Sequence, residues 1–176
     1  MDIVETLREI ADQLEEKAAS PCTCGAEVVD AQEFDFKDGN GPVPATRHTN
    51  PYGSIGGWVA ATAAVEATVW VYGNAWVYGN ARVYGNAQVH GNARVHGNAL
   101  VYGNAWVYGN AQVHGNARVH GNARVHGNAL VYGNARVHGN AWVYGNARVY
   151  GNAQVHGNAR VHGNAQVHGN AQVYQS

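Results

Sequence analysis

Seven arginines and nine histidines fill residues 67–176, a stretch with no aspartate or glutamate. All twelve acids lie at or before Glu66, opposed there only by Arg8, Lys17, Lys37 and Arg47; residues 1–66 therefore carry −8 and residues 67–176 carry +7. Three chemistries suit this set. Histidine can act as a general base or bind a metal. Arginine interleaved with aromatics can hold phosphates and stack bases. Arginine with Trp and Tyr also suits a protein contact, where those types are enriched. The first is the weakest. A catalytic histidine needs a carboxylate to orient it or a general acid beside it, and this stretch supplies neither unless residues before Val59 do. His120, His138 and His156, spaced by eighteen, could share a metal between neighbours, but positions that accept Tyr or His alike explain them more economically. Cys22-Thr23-Cys24 could give two zinc ligands and His48 a third, yet structural zinc takes four ligands and usually Cys-x-x-Cys spacing, so free thiols are expected. The sequence thus leads us to expect no catalytic residue, metal or cofactor.

What positions these side chains is a six-residue unit, Ala-x-Val-(Tyr or His)-Gly-Asn. It is first complete at Ala75-Trp76-Val77-Tyr78-Gly79-Asn80 and runs without insertion or deletion to Ala171-Gln172-Val173-Tyr174. Val59, Val65 and Val71 extend the phase backwards, so Val recurs every sixth residue from Val59 to Val173. Ala and Val are one residue apart and share one face of an extended strand, while x and the Tyr or His share the other. Gly and Asn are the residues that bend most cheaply. A short strand and a bend, repeated, must close on itself to bury the Ala/Val stripe. A period of six with Gly in every unit excludes an amphipathic helix. The 23 glycines follow no G-X-Y period, which excludes collagen.

This pattern resembles the hexapeptide repeat of left-handed parallel β-helix proteins: an aliphatic residue, a small residue four positions later, and Asn at the bend before it. The resemblance covers residues 59–176. It implies an all-β solenoid in which three hexapeptides form a triangular coil of eighteen residues, about six and a half coils in total. At ~4.8 Å per rung such a prism is about 30 Å long. The left-handed sense follows from the resemblance alone. Members of the family commonly assemble as trimers with prisms side by side. Some are acyltransferases with a histidine base near an interface, and others are γ-carbonic anhydrases with three histidines across one. Their sites are usually built with loops that interrupt the coils, and this array has none. Its near-identical units are similar in style to arrays in bacterial and phage accessory proteins.

With eighteen residues per coil, three outward columns can be written. The first face reads Trp70, Gln88, Trp106, Arg124, Trp142, Arg160, beside Tyr72, His90, Tyr108, His126, Tyr144, His162. The second reads Trp76, Arg94, Gln112, Leu130, Arg148, Gln166, and the third Arg82, Leu100, Arg118, Arg136, Gln154, Gln172. Both columns of the first face alternate aromatic with polar. Arg124 falls one rung from both Trp106 and Trp142, where cation–π contacts of ~0.5–2 kcal/mol are feasible. The expected binding face is Trp70, Tyr72, Trp106, Tyr108, Arg124, His126, Trp142, Tyr144 and Arg160. Protonation of the histidines would add positive charge below about pH 6.5.

The remainder divides into residues 1–20, read as an N-terminal amphipathic helix (Ile3, Leu7, Ile10 and Leu14 at helical spacing after an Asp2/Glu5 capping box), and residues 21–58, an acidic irregular segment with one or two short strands. At the other end Ala171, Val173 and Tyr174 lie on a final coil with no capping element after it, an expected assembly end. The expected function is a non-enzymatic structural or interaction protein: a self-associating rigid β-helix that shows an Arg/His/aromatic face to a protein partner, as an inhibitor from a phage or host setting would. Polyanion binding (nucleic acid or nucleotide) by the basic aromatic face is the alternative, and an acyltransferase-like or γ-carbonic-anhydrase-like enzyme comes last. The expected assembly is a homo-oligomer, either a side-by-side trimer or a dimer through the C-terminal coil. No run approaches a membrane span, so the expected location is the cytoplasm of a bacterium, or of a host cell if phage-encoded.

Overall fold

The computed structural model describes residues 31–176. The helix expected over residues 1–20, with Cys22 and Cys24, lies outside the described residues. The rest is an all-β parallel solenoid of about seven turns. Three strands come first: β1 (Gln32–Phe34), β2 (Val43–Thr49) and β3 (Ile55–Ala60). From β3 onward a short strand recurs every sixth residue, ending at β22 (Gln172–Gln175). Each strand pairs in parallel with the strand three places on, so residues eighteen apart are neighbours: Trp106 sits beside Arg124 and Val107 beside Val125.

Three sheets result. The first face is the six-stranded sheet that begins at β5 (Trp70–Val71), the second is nine-stranded and includes β1, β2 and β3, and the third is seven-stranded and begins at β4 (Ala64–Val65). From Val69 to Val155 the inward Ala and Val are fully buried in one continuous core. Strand alternation puts them there, and the narrow prism admits nothing larger than Val.

The corners explain why Gly-Asn closes every unit. Gly121 has φ +71°, and a Cβ on it would stand 3.1 Å from the backbone nitrogen of Gly139, one coil on. Glycine is therefore required twice over, for its conformation and for the close approach of successive coils. The asparagines stack outside this column. Asn92 Nδ2 donates to Asn110 Oδ1 at 3.0 Å, and the Asn92 amide donates to the Gly109 carbonyl at 2.8 Å. Such ladders of like amides satisfy one another along the axis.

The segment before the array is more ordered than a reading of one or two short strands suggests. β1 pairs antiparallel with β2, and β2 antiparallel with β3, with a register shift between Arg47 and Thr49. Phe34 stacks on Trp58 at 4.3 Å, and Phe36, fully buried, stacks on Tyr78 at 4.8 Å and meets Trp76 edge-on. These rings with Ala45 and Ala60 form a second small core outside the prism. The backbone edge of β5 is closed by side chains. Asn50, 2% exposed, accepts from the Val71 amide at 2.8 Å through Oδ1, and His48 Nε2 donates to the Val69 carbonyl at 2.8 Å. Gly56 and Gly57 pass so close to Val71 and Ala75 that no Cβ fits at either.

Candidate functional site

The first face brings together the expected column residues in one in-register stack: Trp70, Gln88, Trp106, Arg124, Trp142 and Arg160 on successive rungs. Arg124 Cζ lies 4.9 Å from the ring centroid of Trp106 and 4.9 Å from that of Trp142, and Arg160 Cζ lies 5.2 Å from Trp142. The guanidinium of Arg124 therefore fills the two-rung gap between the two indoles. Held this way, Arg124 loses little further freedom when its fork meets a carboxylate or phosphate.

The second column stacks beside it. His90 and Tyr108 are 4.9 Å apart at 4°, Tyr108 and His126 4.6 Å at 9°, and His126 and Tyr144 5.0 Å at 4°. Each histidine also meets a tryptophan edge-on, His90 with Trp106 and His126 with Trp142. Trp70 and Tyr72 stack on each other at 5.1 Å. The residues are half-buried by their own neighbours, so the face is a packed aromatic surface rather than a row of protruding rings. Its stacking both stabilises the sheet and fixes the shape it presents.

Burial governs the titration of these columns. It pushes the His90 imidazole below its ordinary value, and that of His126 as well, with the nearby Arg124 charge adding to the effect. On the second face burial lowers His96 to about 4, helped by the charges of His114 and Arg94 and opposed by Asp38. The gain of positive charge expected at about pH 6.5 is thus deferred, for these histidines, to lower pH, because a stacked imidazole has little water to solvate its charge. His126 Nε2 is buried without a hydrogen-bond partner.

The third face places His120, His138 and His156 in a stack, 5.0 and 5.1 Å apart with ring planes within 4°. Parallel rings aim their nitrogens alike rather than at one point, and among the described residues no group of three His, Cys, Asp or Glu is placed to hold a metal. Ala171 is exposed, Val173 partly buried and Tyr174 63% exposed, on the strand that pairs with β19 (Gln154–Gly157). Where the third face begins, an open groove of about 700 Å³ is lined by Ala64, Val65, Glu66, Arg82, Tyr84 and Leu100. Glu66 is committed there to the Gly85 amide, which donates to Oε2 at 2.8 Å.

The columns do not announce every contact. Tyr52 packs edge-on against Trp70, Arg47 lies over Trp58, and Arg94 lies 4.4 Å over Trp76. The last has a signal, since Arg94 follows Trp76 by eighteen residues. The other two involve residues before the array, where no period assigns neighbours.

A family model described as the YdcK beta solenoid repeat matches residues 75–91, 93–109, 99–115, 111–127, 123–139, 129–144, 141–157 and 153–169, together more than half of the chain. The chain belongs to the YdcK beta-solenoid repeat family. Each match spans close to one eighteen-residue coil, so the family's unit and the turn of this prism coincide. No curated protein and no solved structure matches the chain. Within the YdcK-type solenoid the variable outward positions, not the Ala, Val, Gly and Asn framework, distinguish one coil from the next. Among the described residues no helix is long and apolar enough to cross a membrane.

Proposed function

We propose that this YdcK-type solenoid is a structural and interaction protein whose first face contacts a protein surface, in the first instance that of another copy of the chain. The observation that carries this reading is the sandwich of Arg124 between Trp106 and Trp142. It presents a cation held between two indoles on one face of the sheet. Trp, Tyr and Arg are the types that dominate binding energy at protein interfaces, and preorganisation removes part of the ordering cost. The rest of the contact would come from Tyr108, His126, Tyr144 and Arg160 on the same face. As in hexapeptide-repeat proteins, prisms packed side by side bury such faces without altering the fold.

Sedimentation velocity at micromolar concentration tests this. The expected result is an oligomer that Arg124→Glu converts to monomer while the β signature in circular dichroism is retained. A wild-type monomer, or an oligomer indifferent to Arg124→Glu, overturns the reading. A second reading, polyanion binding by the same face, rests on residues 67–176 carrying seven arginines and no acid. Salt-sensitive binding of single-stranded DNA or RNA, lost on substitution of Arg124 and Arg160, is its signature.

A further inference from the structure

The arginines of the array fall into three kinds. Arg94, Arg124 and Arg160 each lie over a tryptophan. Arg82 and Arg148 are exposed, but their rung neighbours are uncharged: Ala64 and Leu100 for the former, Leu130 and Gln166 for the latter. Arg118 and Arg136 are different. They are direct partners on adjacent rungs of the third face, both exposed, and bounded by Leu100 on one side and Gln154 on the other. Like charges directly opposite in a sheet are destabilising, and a rung separates them by only ~4.8 Å. Nothing described relieves the repulsion. The single ion pair among the described residues is Lys37 with Asp35, and neither arginine has an aromatic ring beneath it.

The geometry points to an anion site on the third face, in which the guanidinium forks of Arg118 and Arg136 together hold one phosphate dianion, free or as a monoester. Each fork offers a pair of N–H donors from neighbouring rungs, and a tetrahedral phosphate has enough oxygens to accept from both. A dianion also balances both charges, whereas a carboxylate leaves one unbalanced. Leu100 closes one side to a second anion, and Gln154 offers an amide on the other. The site is independent of what the first face contacts.

His120 and His138 stand on the same two strands as the arginines, two residues on, and complete the surroundings. His120 is stacked between Tyr102 and His138, and His138 between His120 and His156. The charged and titratable groups facing them are Tyr102, His156, Arg118 and Arg136, with no acid among them. Burial first, then the neighbouring histidine, then arginine charge (Arg118 and Arg136 on His120, Arg136 on His138) hold both imidazoles below their ordinary value. An anion seated on the arginines cancels that last contribution. Binding therefore favours protonation of His120 and His138, and by reciprocity protonation tightens binding.

Isothermal titration of the full chain with inorganic phosphate tests the site, with O-phosphoserine as the ester and sulfate, a dianion throughout the range, for the pH arm. Arg118→Gln and Arg136→Gln should each weaken phosphate binding by about tenfold, and Arg148→Gln by less than about twofold. Sulfate should bind at least about threefold more tightly at pH 5.5 than at pH 7.5. Both variants are exposed substitutions that should keep the thermal midpoint of the parent or raise it, so lost binding cannot be laid to unfolding. O-phosphoserine binding beside phosphate extends the site to esters; free phosphate alone confines it to the ion, and either supports it. Equal losses in Arg118→Gln and Arg148→Gln, or acetate binding as tightly as phosphate, overturn it.

Discussion

The first and third faces are made from the same unit, on the same coils, and treat arginine in opposite ways. On the first, Arg124 fills the space between two indoles and its charge is partly spent inside the molecule. On the third, Arg118 and Arg136 stand side by side, exposed, with no tryptophan beneath either and no acid paired with them. The framework residues are identical in the two places, so the difference is written wholly in the x position of each unit. The scaffold sets where a side chain stands; the residue eighteen positions away sets what that side chain can do.

The comparison can be broken from below or sharpened from above. The largest effect should come from the shared core. Val125→Asp beneath the first face and Val119→Asp beneath the third each bury a carboxylate with no partner, and each should cost several kcal/mol and abolish cooperative melting. Equal damage from both would show that the faces differ only on the outside; a strong asymmetry would mean that the outer ladders carry the fold. Next, Arg124→Ala should destabilise by about 1–2 kcal/mol because two cation–π contacts disappear, whereas Arg136→Ala should be neutral or slightly stabilising because a repulsion disappears. Urea titrations of the two variants check both signs.

The smallest effect concerns pH. His90, His96, His120, His126 and His138 have folded values depressed below the unfolded one near 6.5, so the unfolded chain binds protons first as pH falls. Stability is then full above about pH 6.5 and declines below it, for His96 until about pH 4. His96→Tyr, which keeps the stack, should flatten the fall of the thermal midpoint between pH 6.5 and 4. An unchanged slope would place the proton uptake elsewhere.

Much of this is legible in the sequence. A gap-free repeat makes the rung neighbour of each residue an arithmetic fact, so Trp106, Arg124 and Trp142 could be stacked on paper. The two-residue alternation put every Ala and Val inside. What could not be read lies where the period has not begun. Phe34 and Phe36 sit in an acidic stretch, and nothing in their spacing says that they pack on Trp58, Trp76 and Tyr78. His48 and Asn50 look like ordinary loop residues until Val69 and Val71 are seen to need partners. Spacing also gives direction but not packing: the first face was legible as a set of outward rings, but not that those rings would bury one another. The adjacency of Arg118 and Arg136 is present in the column, and it acquires meaning only once Arg94, Arg124 and Arg160 are seen to lie over tryptophans and Arg82 and Arg148 to stand beside uncharged residues.

The coil's interchangeable glycine corners carry one further consequence. Because Gly121 rests on Gly139 as Gly139 rests on Gly157, any coil can be copied or removed without disturbing the corners or the Ala/Val core of its neighbours. The aromatic plug on β3 stays put while this happens, since it touches only the first rungs of its sheet. The molecule is therefore a ruler graduated in steps of ~4.8 Å, zeroed at Phe34 and Phe36, along which evolution can slide one patch away from another without redesigning either.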